Sequence, residues 1–131
     1  MKTSTNWKHD HVFESGFDSN KIIIDSDKKE GMNPKALLLS GLAACSGVDV
    51  VDILEKMRVS FSDFLINVEA EQTEQHPRVF KDIYITYTIR TLKENEEKVK
   101  KAIDLSLESY CGVAAMLKKN SSIHYKLELL K

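Results

Sequence analysis

Two cysteines, Cys45 and Cys111, and four histidines are the side chains of this 131-residue sequence best suited to covalent, redox or metal chemistry. Cys45 sits inside the apolar stretch NPKALLLSGLAACSGVDVVDILEKMR. A cysteine reacts as its thiolate, so its surroundings must favour negative charge. Those of Cys45 do not. Asp49 and Asp52 follow four and seven residues on, and nearby carboxylates raise a thiol pKa. The start of a helix over this stretch lies about three turns away, too far for its dipole to help. A nucleophilic Cys45 therefore needs a cation from elsewhere: Arg78, His76, His11, His9 or a lysine of a second subunit. Arg78 is the preferred candidate, since it comes from a turn and keeps its charge at any relevant pH.

Cys111 lies in ESYCGVAAMLKKN. If Ser109 caps a short helix, Cys111 occupies its first turn, where free amides favour a thiolate. Gly112, Ala114 and Ala115 are small enough for close approach to another helix. The neighbour of matching character is GLAACSG, which would bring the two cysteines together. A metal site built on both cysteines and a histidine is a third use of the same residues. His9 and His11 would share a strand face, yet no Cys-x-x-Cys or His-x-x-x-His spacing supports it. Buried, inert cysteines remain the plain alternative.

The elements that must position these residues follow from periodicity. Residues 7–24 read as two or three strands, with KIIID a short buried one and Trp7 a partly buried anchor. Asn33 and Pro34 begin a long helix that ends near Val59 and Ser60. On a helical wheel Ala36, Leu39, Ala43, Val50, Leu54 and Met57 form a core stripe, with Cys45 roughly opposite. The helix is nearly apolar all round in its first half and must be covered on most sides. A second subunit is the natural cover for so short a chain. Gly41 and Gly47, flanking the thiol, allow either space for a substrate or close packing. Two strands follow, with Phe64, Ile66, Val68 and Ala70 on one face of the first and Ile83, Ile85, Tyr87 and Ile89 on one face of the second. Thr91 and Glu94 suggest a capping box. A helix over residues 94–119, interrupted near Ser109 to Gly112, and a last strand with Ile123, Tyr125, Leu127 and Leu129 on one face complete an α+β pattern.

The bulk composition limits partners. A formal charge of −1, with both signs interspersed, gives no basic patch for nucleic acid. No apolar run is expected to cross a bilayer, and no signal peptide is visible, so a single cytoplasmic domain over residues 1–131 is expected.

Three blocks together, NPKALLLSGLAACSGVDVVDILEKMR, HPRVF and YCGVAAMLKK, resemble the OsmC/Ohr family of thiol-dependent peroxidases. The resemblance spans nearly the whole chain. It implies an α+β fold with antiparallel sheets around two central helices, in an intertwined homodimer with active sites at the subunit interface. It implies Cys45 as peroxidatic and Cys111 as resolving cysteine, organic hydroperoxides as substrates, a dithiol as reductant, no cofactor, and a role in oxidative or osmotic stress defence. Two departures stand beside it. The peroxidases of the family hold their thiolate with an N-terminal arginine and a glutamate at the start of the cysteine helix. Here WKHDHVFESGFDSN has no arginine and the helix opens Pro34, Lys35, Ala36; Glu30 and Arg78 are the available substitutes. A non-catalytic dimer that binds a small ligand in its interface pocket is the alternative.

Overall fold

A computed structural model describes residues 1–131. The chain divides into two compact units, Met1–Leu38 and Leu39–Lys131.

The first unit carries an antiparallel sheet of β1 (Ser4–His9), β2 (Val12–Phe17) and β3 (Asn20–Asp25) in the order β1-β2-β3. Both turns place an aspartate in left-handed backbone, Asp10 at φ 45° and Asp18 at φ 54°, a conformation aspartate tolerates better than most residues. In the loop after β3, the Asp25 side chain accepts backbone N–H bonds from Asp27 at 2.9 Å, Lys29 at 3.2 Å and Glu30 at 3.1 Å. Burial alone would raise this carboxyl; the amide donors outweigh it and hold the group below its usual range.

Apart from Asp25, only Val12 is buried in this unit. The cross-strand register aligns Trp7 with Phe13 and Phe13 with Ile24, so one sheet face is apolar. Trp7 is exposed, its Nε1 donating to the Asp10 carbonyl at 2.9 Å, and Phe17, Ile22 and Ile23 are also exposed. Trp7 was expected as a partly buried anchor and KIIID as a buried strand. Trp7, Ile22 and Ile23 are uncovered, Ile24 is half-buried and only Asp25 of KIIID is buried, because within this unit the three strands form a single layer.

The second unit is built on α1 (Pro34–Lys56), which begins in the first. Asn33 caps it as expected, Oδ1 accepting from the Lys35 N–H at 2.9 Å. The helix stops at Lys56, short of the expected Val59. Arg58 turns left-handed at φ 60°, its N–H donates to Glu55 O, and Val59 N–H reaches back to Leu54 O. That is the paired bond pattern of a Schellman end, with arginine where glycine is usual.

Strands β4 (Ser62–Gln72), β5 (Phe80–Arg90) and β6 (Ser122–Leu130) form the second sheet in the order β4-β5-β6. β4 and β5 are antiparallel, but β5 and β6 are parallel, where antiparallel sheets were expected. The reason is the connection: α2 (Glu96–Leu105) and α3 (Gly112–Lys118) lie between β5 and β6, and a helical crossover returns the chain in the same direction. The predicted faces hold. Val68 pairs with Ile85 and Ile85 with Tyr125, giving one apolar face across three strands. Ile83, Ile85, Tyr87 and Ile89 are fully or almost fully buried on it, against Leu42, Val50 and Leu54 of α1 and Val99, Ala102 and Ile103 of α2. Each such aliphatic side chain contributes about 1.5–3 kcal/mol on burial.

The expected capping box at Thr91 and Glu94 is absent. Thr91 Oγ1 instead donates to Ser60 O at 2.8 Å and accepts from Asn95 Nδ2, and a short 3-10 turn, Lys93–Asn95, leads into α2 without a side-chain cap. By length and composition alone, α1 is long and apolar enough to span a bilayer, contrary to the expectation that no run is. Here Leu42, Ser46, Gly47, Val50 and Leu54 build one side of it into the core.

Candidate active site

The buried stripe of α1 runs through Leu42, Ser46, Val50 and Leu54. Cys45 lies beside this stripe and packs against the core cluster, half-buried, rather than opposite it. The wheel misplaced it because Ser46 and Gly47, neither strongly apolar, occupy core positions. Gly47 is there for space: a Cβ would come 3.0 Å from Ile66 Cδ1 of β4. This is close packing against a strand. Gly41 faces open space.

Cys111 follows an unusual turn. After α2 the chain widens into a π-turn, Ser106–Tyr110, closed by the Cys111 N–H donating to Ser106 O at 2.7 Å. Such turns insert a residue into a helix and recur at functional sites. The extra residue moves the next helix start past Ser109, so Cys111 itself caps α3. Its sulfur accepts the Ala114 N–H at 3.3 Å, and its carbonyl accepts from Ala115. The N-cap expected at Ser109 is therefore taken by the cysteine.

Cys111 is buried, at 3% exposure, and both thiols are free. The Cys111 side chain is a hydrogen-bond neighbour of Cys45. Burial first, then this bond to Cys45, push the Cys111 thiol up to about 11, against the lowering effect of the Ala114 and Val113 amides. Cys111 therefore stays protonated at neutral pH, with a hydrogen available to charge on the Cys45 sulfur. An ordinary cysteine releases its proton near 9. Between about 9 and 11 the folded chain holds a proton that the unfolded chain has lost, so stability is full below this window and falls as pH rises through it. Urea midpoints measured across the window should fall with pH. Tyr87, which burial pushes up to about 12, adds to the fall above pH 10. Cys111→Ser should flatten the lower part of the curve, and an unchanged slope in that variant contradicts the assignment.

A polar chain runs beside the thiols. Ser106 Oγ is 2.9 Å from Asp49 Oδ2 and 2.9 Å from Ser46 Oγ, which is 2.6 Å from the Tyr87 hydroxyl. Ser46, Tyr87 and Ser106 are all fully buried. A carboxylate only accepts, so the one Ser106 hydroxyl hydrogen is directed to Asp49. The Ser46 and Tyr87 hydroxyls supply the hydrogens along the rest of the chain. Asp49, read from sequence as an acidic neighbour of Cys45, thus has a bonded partner. A cavity of about 190 Å³ opens beside Cys111, lined also by Glu108, Tyr110, Gly112 and Lys118. The Lys118 ammonium donates to the Leu107 carbonyl. Sequence reasoning passed over Ser46 and Ser106 and took Lys118 for a solvated helix-end lysine. The available signal was two serines interrupting otherwise apolar helix faces.

Arg78 lies in the exposed connection between β4 and β5, after a cis His76–Pro77 bond. From Phe80 to Tyr87, whose hydroxyl meets Ser46, is seven residues of strand, roughly 23 Å at 3.3 Å per residue. Within one chain the Arg78 turn is thus at the far end of β5 from the thiols. His9 and His11 do not share a strand face, because the β1–β2 turn passes between them. His9 pairs with Asp10 and Glu30, and His11 with Asp27 at 3.0 Å. No group of three or more histidine, cysteine or carboxylate side chains is arranged to hold a metal ion.

A long core helix carrying one of two neighbouring thiols, on an α+β frame with two three-stranded sheets, is a class of fold that solved proteins share. Residues 26–126 match the family of OsmC-like proteins, and the chain belongs to that family. Protein YhfA of Escherichia coli K12 is 32% identical over 111 residues, covering 84% of this chain and 83% of that protein. A hypothetical protein of Aquifex aeolicus VF5 superposes with a TM-score of 0.84 at 29% identity, over 99% of this chain and 97% of that one. The organic hydroperoxide resistance protein OhrB of Bacillus subtilis superposes with a TM-score of 0.64 at 21% identity, over 98% and 96% of the two chains, a likeness of fold.

Proposed function

We propose that this protein is a two-cysteine thiol peroxidase that reduces organic hydroperoxides in oxidative or osmotic stress defence. The observation that carries the reading is the contact between a half-buried Cys45 and a buried, protonated Cys111. The Cys45 thiolate attacks the peroxide O–O bond, giving Cys45–SOH and an alkoxide that leaves as the alcohol. The Cys111 thiol then condenses with the sulfenic acid, forming the S–S bond and releasing water. An external dithiol reduces the disulfide by exchange, restoring both thiols and leaving as its own disulfide. No cofactor enters these steps.

The reading includes a homodimer. An open apolar groove of about 690 Å³, lined among others by Ala44, Gly47, Val48, Val51 and Leu65, runs along α1 and β4. The apolar sheet face of the first unit is exposed as well. A second copy would cover such surfaces, and would bring a second Arg78; that arginine, from the partner subunit, is the candidate to stabilise the thiolate.

One observation favours the second reading, a dimer that binds a small ligand without catalysis: Ser46, the chain neighbour of Cys45, is tied through Ser106 to a carboxylate, Asp49, and not to a cation. Intact mass after one equivalent of tert-butyl hydroperoxide separates the two. The peroxidase reading expects loss of two hydrogens per chain, with peptide mapping joining Cys45 to Cys111. An unchanged mass rejects it.

A further inference from the structure

We propose that Ser106, anchored by Asp49 and Ser46, is the positioning residue that holds Cys111 against Cys45 for disulfide closure. The inference rests on the two-cysteine reading and names the group that makes its second step fast.

Both cysteines are one link from this serine. Ser46, bonded to Ser106 through Oγ at 2.9 Å, is the chain neighbour of Cys45. The Ser106 carbonyl accepts the Cys111 N–H at 2.7 Å. One residue therefore ties the helix of the first thiol to the backbone of the second. Around these bonds the packing is apolar: Leu42 and Val50 of α1 belong to one core cluster with Ile103 and Leu107. Apolar packing is not directional and leaves small slips open, whereas hydrogen bonds fix register. Alanine at 46 and 106 would fill these fully buried positions without a hydroxyl to desolvate. The serines are kept where every buried side-chain polar atom has a partner. Their bonds converge on the π-turn, the one irregular stretch between α2 and α3, which would otherwise be free to shift Cys111 along its axis. A disulfide tolerates only about 2 Å of variation in Cα separation. Condensation of a sulfenic acid with a thiol is sensitive to misplacement on the same scale.

Exchange with oxidised dithiothreitol tests this without peroxide. The two protein thiols and the cyclic disulfide give the Cys45–Cys111 disulfide and the open dithiol, two electrons passing between them. Ser106→Ala is expected to lower the exchange constant by about tenfold or more, since a buried bond to a carboxylate and its companion are lost. Asp49→Asn, which keeps an acceptor oxygen for Ser106, should stay within about threefold of wild type. If Ser106→Ala does not fold, Asp49→Leu, which removes the acceptor and leaves the serine, carries the same expectation. A merely structural role would lower the urea midpoint and leave the exchange constant alone; a constant within about twofold of wild type in a folded variant overturns the proposal. With hydroperoxide, Ser106→Ala should lose its Cys45 thiol as fast as wild type and accumulate sulfenic acid trappable by a cyclic dione. Wild type that closes its disulfide with dithiothreitol yet ignores hydroperoxide defeats the peroxidase reading and leaves Ser106 in its role.

Discussion

Cys45→Ser is expected to abolish turnover of tert-butyl hydroperoxide with a dithiol reductant, by roughly a thousandfold or more, because a serine hydroxyl is not ionised and cannot be oxidised by the peroxide. Cys111→Ser should behave differently. It should consume one equivalent of peroxide per chain and then stall as the sulfenic acid, since the neighbour that displaces water from that sulfur is gone. The distinction rests on burial and position: Cys45 is half-buried and reachable, whereas Cys111 is buried, protonated at neutral pH and a neighbour of Cys45. Initial rates and intact mass of each variant check both expectations. Equal activity in wild type and Cys45→Ser would remove the peroxidase reading and leave ligand binding as the function.

Val48→Glu should convert a dimer into monomers. Val48 is 61% exposed on the groove of α1, three residues beyond Cys45 and away from the core stripe, so the change leaves the fold of the chain intact. In a dimer that covers the groove, the new carboxylate would be buried without a partner, beside Asp52 in the same groove. A loss of about a hundredfold or more in dimer affinity is the expected scale for an unpaired buried charge. Sedimentation velocity across a concentration series reads it directly. If the cation at Cys45 comes from the partner subunit, activity should fall with dissociation and return as concentration is raised. A variant that remains dimeric at the lowest concentrations, or a wild type that is monomeric throughout, would show that the groove is not the interface.

The α+β class, the helix opening at Asn33 and Pro34, and the buried faces of β4, β5 and β6 were legible in the sequence. Each rests on a local property: a cap, a proline, or strict alternation such as Ile83, Ile85, Tyr87, Ile89, in which every second side chain must face the same way. Both cysteines were legible as candidates for chemistry, through the small residues around them and the resemblance of their blocks to one family. What failed depended on which surfaces meet. Trp7, Ile22 and Ile23 are apolar by composition and stay exposed, because burial is decided by a partner layer. The wheel put Cys45 opposite the core stripe, because the stripe runs through Ser46 and Gly47, chosen for a hydrogen bond and for room beside Ile66. The parallel pairing of β5 with β6 follows from where the α2–α3 crossover returns the chain.

Sequence by itself thus determined which residue types stand in the two cysteine blocks and which faces of the second sheet are apolar, since residue type and local period are properties of the chain. Only the tertiary structure decided that Cys111 caps a helix beyond a π-turn, that its thiol meets Cys45, and that Asp49 binds Ser106. The last two are contacts between residues some sixty positions apart, and register across such a distance is set by packing and buried hydrogen bonds together.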